Sequence, residues 1–115
     1  MGEAALEQTL KRSLSQSNAM CNLLKVSGAS LSPQYRDGDY VLIAPPTLAG
    51  GIRRGDVVVF HRPDTGQTTI KHVDHVLPDH TLFVLGTHEF SVDSRHFGPI
   101  ARSTLLGKVI WHIKR

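Results

Sequence analysis

Cysteine is nearly missing from this sequence. Cys21 is the single one among 115 residues, so no intrachain disulfide can hold the fold. It lies beside Met20 and close to Leu23-Leu24, with no local activating signal, and reads as a small apolar packing residue. Long hydrophobic runs are missing as well. No stretch approaches the roughly 18–20 apolar residues of a membrane span. The N-terminal residues carry Glu3, Glu7, Lys11, Arg12 and several serines, unlike the apolar core of a secretory signal. These absences set the expected location as cytoplasmic, with a membrane contact left open should an anchor belong to a longer chain. Strong charge of one sign is also lacking. The formal net charge is +3, and basic residues pair only at Lys11-Arg12, Arg53-Arg54 and Lys114-Arg115. Scattered charges of this kind form a solvated surface, and nucleic acid is not an expected partner.

What is present fits one globular domain: 40% hydrophobic and 20% charged residues over 115 positions. Residues 1–22 are set apart from 23–115. In the first part Ala5, Leu6, Leu10 and Leu14 recur at helical spacing, with Glu7 four residues before Lys11. This spacing predicts a short amphipathic helix over 3–15, followed by a connector at Ser15-Gln16-Ser17-Asn18. From Leu23 the pattern turns to β. Strands are predicted at Leu23–Val26, Tyr40–Ile43, Val57–Phe60, Thr68–Val73, Leu82–Leu85 and Val109–Ile113. Turn signals separate them, among them Asp37-Gly38-Asp39, Pro45-Pro46 and Pro63-Asp64-Thr65-Gly66. The expected fold class is mainly β, a coiled antiparallel sheet or small partly open barrel with a short N-terminal helix.

Three segments carry chemistry. In Gly28-Ala29-Ser30-Leu31-Ser32-Pro33 a serine sits in a turn, where Gly28 permits close approach of a substrate backbone and Pro33 fixes the following chain. In Ile70-Lys71-His72-Val73 a lysine interrupts an apolar strand. Desolvation disfavours the charged form of such an amine, which can then accept a proton from a serine hydroxyl. The third, residues 86–100, packs Ser91, Asp93 and Arg95 among turn residues between two apolar strands, a composition suited to scaffolding a site. The histidines His72, His75, His80 and His88 share one half of the chain. Positions 72 and 75 of a strand face opposite sides, and no cysteine pair completes a ligand set, so neither a metal nor a cofactor is expected.

Taken in order, these segments resemble signal peptidase I. Gly28-Ala29-Ser30-Leu31-Ser32-Pro33 is similar to that family's Gly-x-Ser-Met-x-Pro box, and Arg54-Gly55-Asp56-Val57-Val58-Val59-Phe60 to its Arg-Gly-Asp-apolar strand. Ile70-Lys71-His72-Val73 resembles its Lys-Arg-Val box, Ser91-Val92-Asp93-Ser94-Arg95 its Ser-x-Asp-Ser-Arg box, and Gly107-Lys108-Val109 its closing strand. The resemblance implies Ser30 as nucleophile, Lys71 as general base, Ser91 as the residue that orients the lysine, and Asp93 with Arg95 as a brace. It places Gly28, Ala29, Leu31 and Pro33 along the bound substrate. Three departures stand out: Leu31 replaces Met, Gly28 takes the place of a hydroxyl found in some relatives, and Gly86-Thr87-His88 replaces Gly-Asp-Asn with one residue fewer before Ser91.

The expected function is therefore that of a serine endopeptidase with a Ser/Lys dyad. Its expected partner is a protein carrying an N-terminal leader or signal segment, bound extended along a strand edge. In its small size the chain looks like the maturation proteases that trim the leader of nickel-containing superoxide dismutase. The alternative is a non-catalytic peptide-binding module that keeps the fold. A self-cleaving repressor shares the dyad, but only about 25 residues precede the serine segment here, too few for the helix-turn-helix domain of that class.

Overall fold

Four consecutive apolar residues, Val57-Val58-Val59-Phe60, leave no polar face to turn to solvent, and this run lies at the centre of the molecule. The computed structural model describes residues 5–8, 21–27, 34–87 and 91–114. The run forms β4 (Val57–His61), whose first four residues are all buried. Val57 and Val59 face one core with Leu24, Val41, Ile43 and Ile70. Val58 and Phe60 face a second with Val73, Leu82, Val84 and Ile100. A strand buried on both faces needs no alternation of apolar and polar residues, which is why this segment shows none.

Around it the chain forms β1 (Ala5–Gln8), β2 (Asn22–Ser27), β3 (Tyr40–Ala44), β5 (Thr68–Val76), β6 (Leu82–Leu85) and β7 (Leu105–Ile113). A one-turn helix, α1 (Ser94–Phe97), and a 3-10 turn (Arg102–Thr104) lie between β6 and β7. The seven strands make one sheet in the order β1-β2-β3-β7-β4-β5-β6, with every neighbouring pair antiparallel. Register shifts at Leu42/Ile43, Val59/Phe60 and Val73/His75 bend it. The sheet coils far enough for β1 to lie alongside β5, although the two are not neighbours in the strand order. The fold is thus the expected mainly β, coiled antiparallel sheet.

The N-terminus departs from expectation. Ala5–Gln8 is not helical but pairs with β2 in the register Ala5↔Ser27 to Gln8↔Leu24. An isolated short helix is marginal in water, whereas an open strand edge offers backbone partners at once. The remainder of the predicted helix, 3–4 and 9–15, lies outside the described residues. β7 also begins four residues before the predicted Val109 and runs through Gly107, a residue that normally weakens a strand. A Cβ at Gly107 would stand 2.8 Å from the backbone oxygen of Ala44, so glycine is what lets β7 pass β3 at this distance. The next residue, Lys108, places Nζ 3.1 Å from Asp56 Oδ2 and donates to the carbonyls of Ala49 and Gly51 at 3.2 and 3.0 Å. Two of the sequence motifs, Arg54-Gly55-Asp56 and Gly107-Lys108-Val109, are therefore one structural unit. It ties the loop before β4 to the strand that pairs with it.

Candidate active site

Lys71 stands in the middle of β5 and is fully buried, 0% exposed. Its register partner on β4 is Val58, and its chain neighbour Ile70 belongs to the core. On the other side, β5 and β6 pair as His72↔Leu85. One further step of that antiparallel register brings Gly86 level with Lys71.

Gly86 opens the loop that carries the third motif, and that loop is secured at both ends. Its N–H donates to Asp93 Oδ2 at 3.0 Å, and two residues earlier the N–H of Val84 donates to Ser94 Oγ at 2.9 Å. Asp93 also caps α1, accepting from the Arg95 N–H at 3.1 Å. The Arg95 guanidinium adds two bonds, Nε to Oδ1 at 2.9 Å and Nη2 to Oδ2 at 2.7 Å. Burial by itself would push the Asp93 carboxyl up. The hydrogen bonds from the Arg95 guanidinium, the Gly86 N–H and the Arg95 N–H outweigh it and hold the carboxyl below its usual range. Hydrogen bonding to Asp93 in turn raises the Arg95 guanidinium. Asp93 thus braces the loop on β6 at the level of Lys71, with Ser91, 2% exposed, two residues away in the same anchored segment.

These same contacts close the outer edge of β6. The N–H groups of Leu82, Val84 and Gly86 alternate toward that edge, and all three have acceptors: the Ile100 carbonyl, Ser94 Oγ and Asp93 Oδ2. An extended peptide finds no free donor there.

Ser30 lies outside the described residues, as do Gly28, Ala29, Leu31 and Pro33, and His88 of the altered loop. What is described is the frame on either side of the serine segment. Before it, β2 ends at Ser27. After it, the Val26 N–H donates to the Asp39 carbonyl at 2.7 Å and the Gly38 N–H to the Val26 carbonyl at 2.8 Å, so the chain leaving the segment folds back onto the strand that enters it. Three residues without a role in the motif reading hold this return. The Asp39 carboxylate accepts from the Arg36 N–H at 3.0 Å and pairs with His112 Nε2 at 2.7 Å. The His112 ring stacks on Tyr35, with centroids 4.2 Å apart, and burial pushes the Tyr35 hydroxyl up. Asp39 had only the appearance of a turn residue. Its partner is 73 positions away, and no local pattern links the two.

Among the described residues no group of three or more His, Cys, Asp or Glu side chains is arranged to hold a metal ion. His75 instead pairs with Asp74 at 2.7 Å and stacks on Phe83. No helix among them is long and apolar enough to cross a membrane.

Comparison with curated proteins and with solved structures gives no match. A family model, described as Peptidase S24-like, matches residues 3–110. The match takes in the serine segment, the lysine strand, the anchored loop and most of β7. It gives peptide hydrolysis as the general class of chemistry and a protein or peptide as the substrate class. On that span the chain belongs to the Peptidase S24-like family.

Proposed function

We propose that the protein is a serine endopeptidase in which Ser30 is the nucleophile and Lys71 the general base, acting on the N-terminal leader or signal segment of another protein. The observation that carries this reading is the complete burial of Lys71 in an apolar strand, level with a loop that Asp93 anchors. A buried amine pays a desolvation cost for its charge, and this favours the neutral form that a base requires. Neutral Lys71 takes the Ser30 hydroxyl proton as Oγ attacks the peptide carbonyl carbon. The Ser30 N–H donates to the oxyanion that develops. Collapse breaks the C–N bond, and the Lys71 ammonium returns the proton to the leaving amine. The resulting acyl ester is hydrolysed by water that Lys71 deprotonates, which frees Ser30. Ser91 orients the amine, and the Asp93–Arg95 pair holds the loop that presents Ser91. The precursor of a nickel-containing superoxide dismutase is the substrate we would test first.

The experiment is cleavage of leader peptides by wild type, Ser30→Ala and Lys71→Met, the last keeping volume while removing the amine. Cleavage by wild type and by neither variant supports the dyad. Cleavage that survives Ser30→Ala refutes it, and peptide binding without cleavage by wild type identifies a non-catalytic module. Activity is expected to rise with pH as Lys71 loses its proton, and a profile flat through that rise would remove Lys71 as the base.

A further inference from the structure

A single sheet has two outer edges, and here they differ. That of β6 is sealed by the Ile100 carbonyl, Ser94 and Asp93. The other belongs to β1, four residues long and joined to β2 through residues 9–21. Without β1 the last strand would be β2, which runs directly to the serine segment. The groups that β2 would then expose follow from alternation. The Val26 N–H and carbonyl engage Asp39 and Gly38 on the β3 side, so those of Lys25 and Ser27 face β1. Their register partners are Glu7 and Ala5. β1 also lies alongside β5, the strand of Lys71.

We infer that β1 is a built-in competitor for the peptide track on β2: it occupies the strand edge between β2, which leads into the serine segment, and β5, the strand of Lys71, and must leave before an outside peptide can pair there. The inference deepens the proposed function, since it concerns how substrate reaches Ser30 and Lys71. Main-chain pairing is indifferent to most side chains, so a strand of this chain and a strand of substrate compete for the same Lys25 and Ser27 groups. Being tethered, β1 acts at an effective concentration of order millimolar, which an outside peptide must exceed. A strand of four residues at a sheet edge is also among the elements that open most readily. The arrangement therefore sets a threshold for substrate while leaving the track open to exchange.

The test reads binding rather than turnover, so its result is independent of which residues catalyse. In a Ser30→Ala background, amide exchange at Lys25 and Ser27 is followed in the full chain with and without Glu7→Pro, which removes the N–H paired with Lys25. The probe is a synthetic peptide of residues 1–12. Glu7→Pro is expected to speed exchange at Lys25 and Ser27 by about tenfold or more, and millimolar peptide to restore protection in that variant while leaving the parent unchanged. Should Glu7→Pro not fold, judged by its circular dichroism, the quadruple variant Ala5→Gly, Leu6→Ser, Glu7→Gly, Gln8→Ser is measured against the same expectations. Unchanged exchange at Lys25 and Ser27 in a folded variant overturns the inference, as does failure of the peptide to restore protection. Loss of cleavage in Ser30→Ala with no effect of Glu7→Pro on exchange would leave the dyad standing and remove the competitor.

Discussion

Replacing Asp93 isolates the brace on which the candidate site depends. The carboxylate is 0% exposed and is the acceptor for the Gly86 and Arg95 N–H groups and for the Arg95 guanidinium. In Asp93→Ala the two backbone donors lose an acceptor that is itself fully buried. An unsatisfied buried donor costs about 1–3 kcal/mol, and because both of these bonds are only part-buried, about 1–2 kcal/mol each is expected, so the pair should cost about 2–4 kcal/mol. The guanidinium contributes little to that sum, because 53% of the Arg95 side chain is exposed and solvent screens an exposed ion pair. Arg95→Ala should accordingly destabilise far less than Asp93→Ala. For a domain of this size the Asp93→Ala loss is a fall in Tm of roughly 8–16 °C. Urea denaturation at several pH values supplies the assay, with Asp93→Asn as the variant that preserves shape. The Asp93 carboxyl is held below its ordinary value in the folded protein. Its stabilisation is thus complete above the unfolded carboxylate range, near about pH 4, and is lost as pH falls through the folded-state value. The gap between wild type and Asp93→Asn should be full at neutral pH and close in acid. A gap under about 0.5 kcal/mol at neutral pH, or one that does not change in acid, would refute the brace.

Two further substitutions probe the frame away from that loop. Gly107→Ala places a methyl 2.8 Å from the Ala44 backbone oxygen. Because both atoms belong to paired strands, stability should fall by about 1–3 kcal/mol, measured by urea denaturation. Ser94→Ala removes the acceptor of the Val84 N–H. A loss of about 1–2 kcal/mol is expected, with faster exchange of the Val84 amide than of its neighbours on β6.

The sequence and the structure agree where a local pattern has one physical solution. Val57–Phe60 had to be buried on both faces, and it is. Lys71, read from its apolar neighbours as a desolvated amine, is buried completely. The strand positions were legible for the same reason, since β-branched runs between turn residues admit little else. What was not legible depends on residues distant in the chain. Nothing near Asp39 announces His112, and nothing near Asp56 announces Lys108. Gly107 reads as a break until Ala44 is placed against it.

The N-terminus shows the same limit from the opposite direction. Ala5, Leu6, Leu10 and Leu14 carry a true helical period, and a period is a statement about one segment alone. Whether Ala5–Gln8 adopts it depends on whether an unfilled strand edge is within reach, and β2 supplies one. At the opposite side of the sheet the β6 donors are taken by Ser94, Asp93 and Ile100. A segment seeking backbone partners at the end of the sheet therefore meets them on β2 and not on β6. Loosening the brace at Asp93 would free the Gly86 N–H at the β6 edge and so offer extended segments a second place to pair.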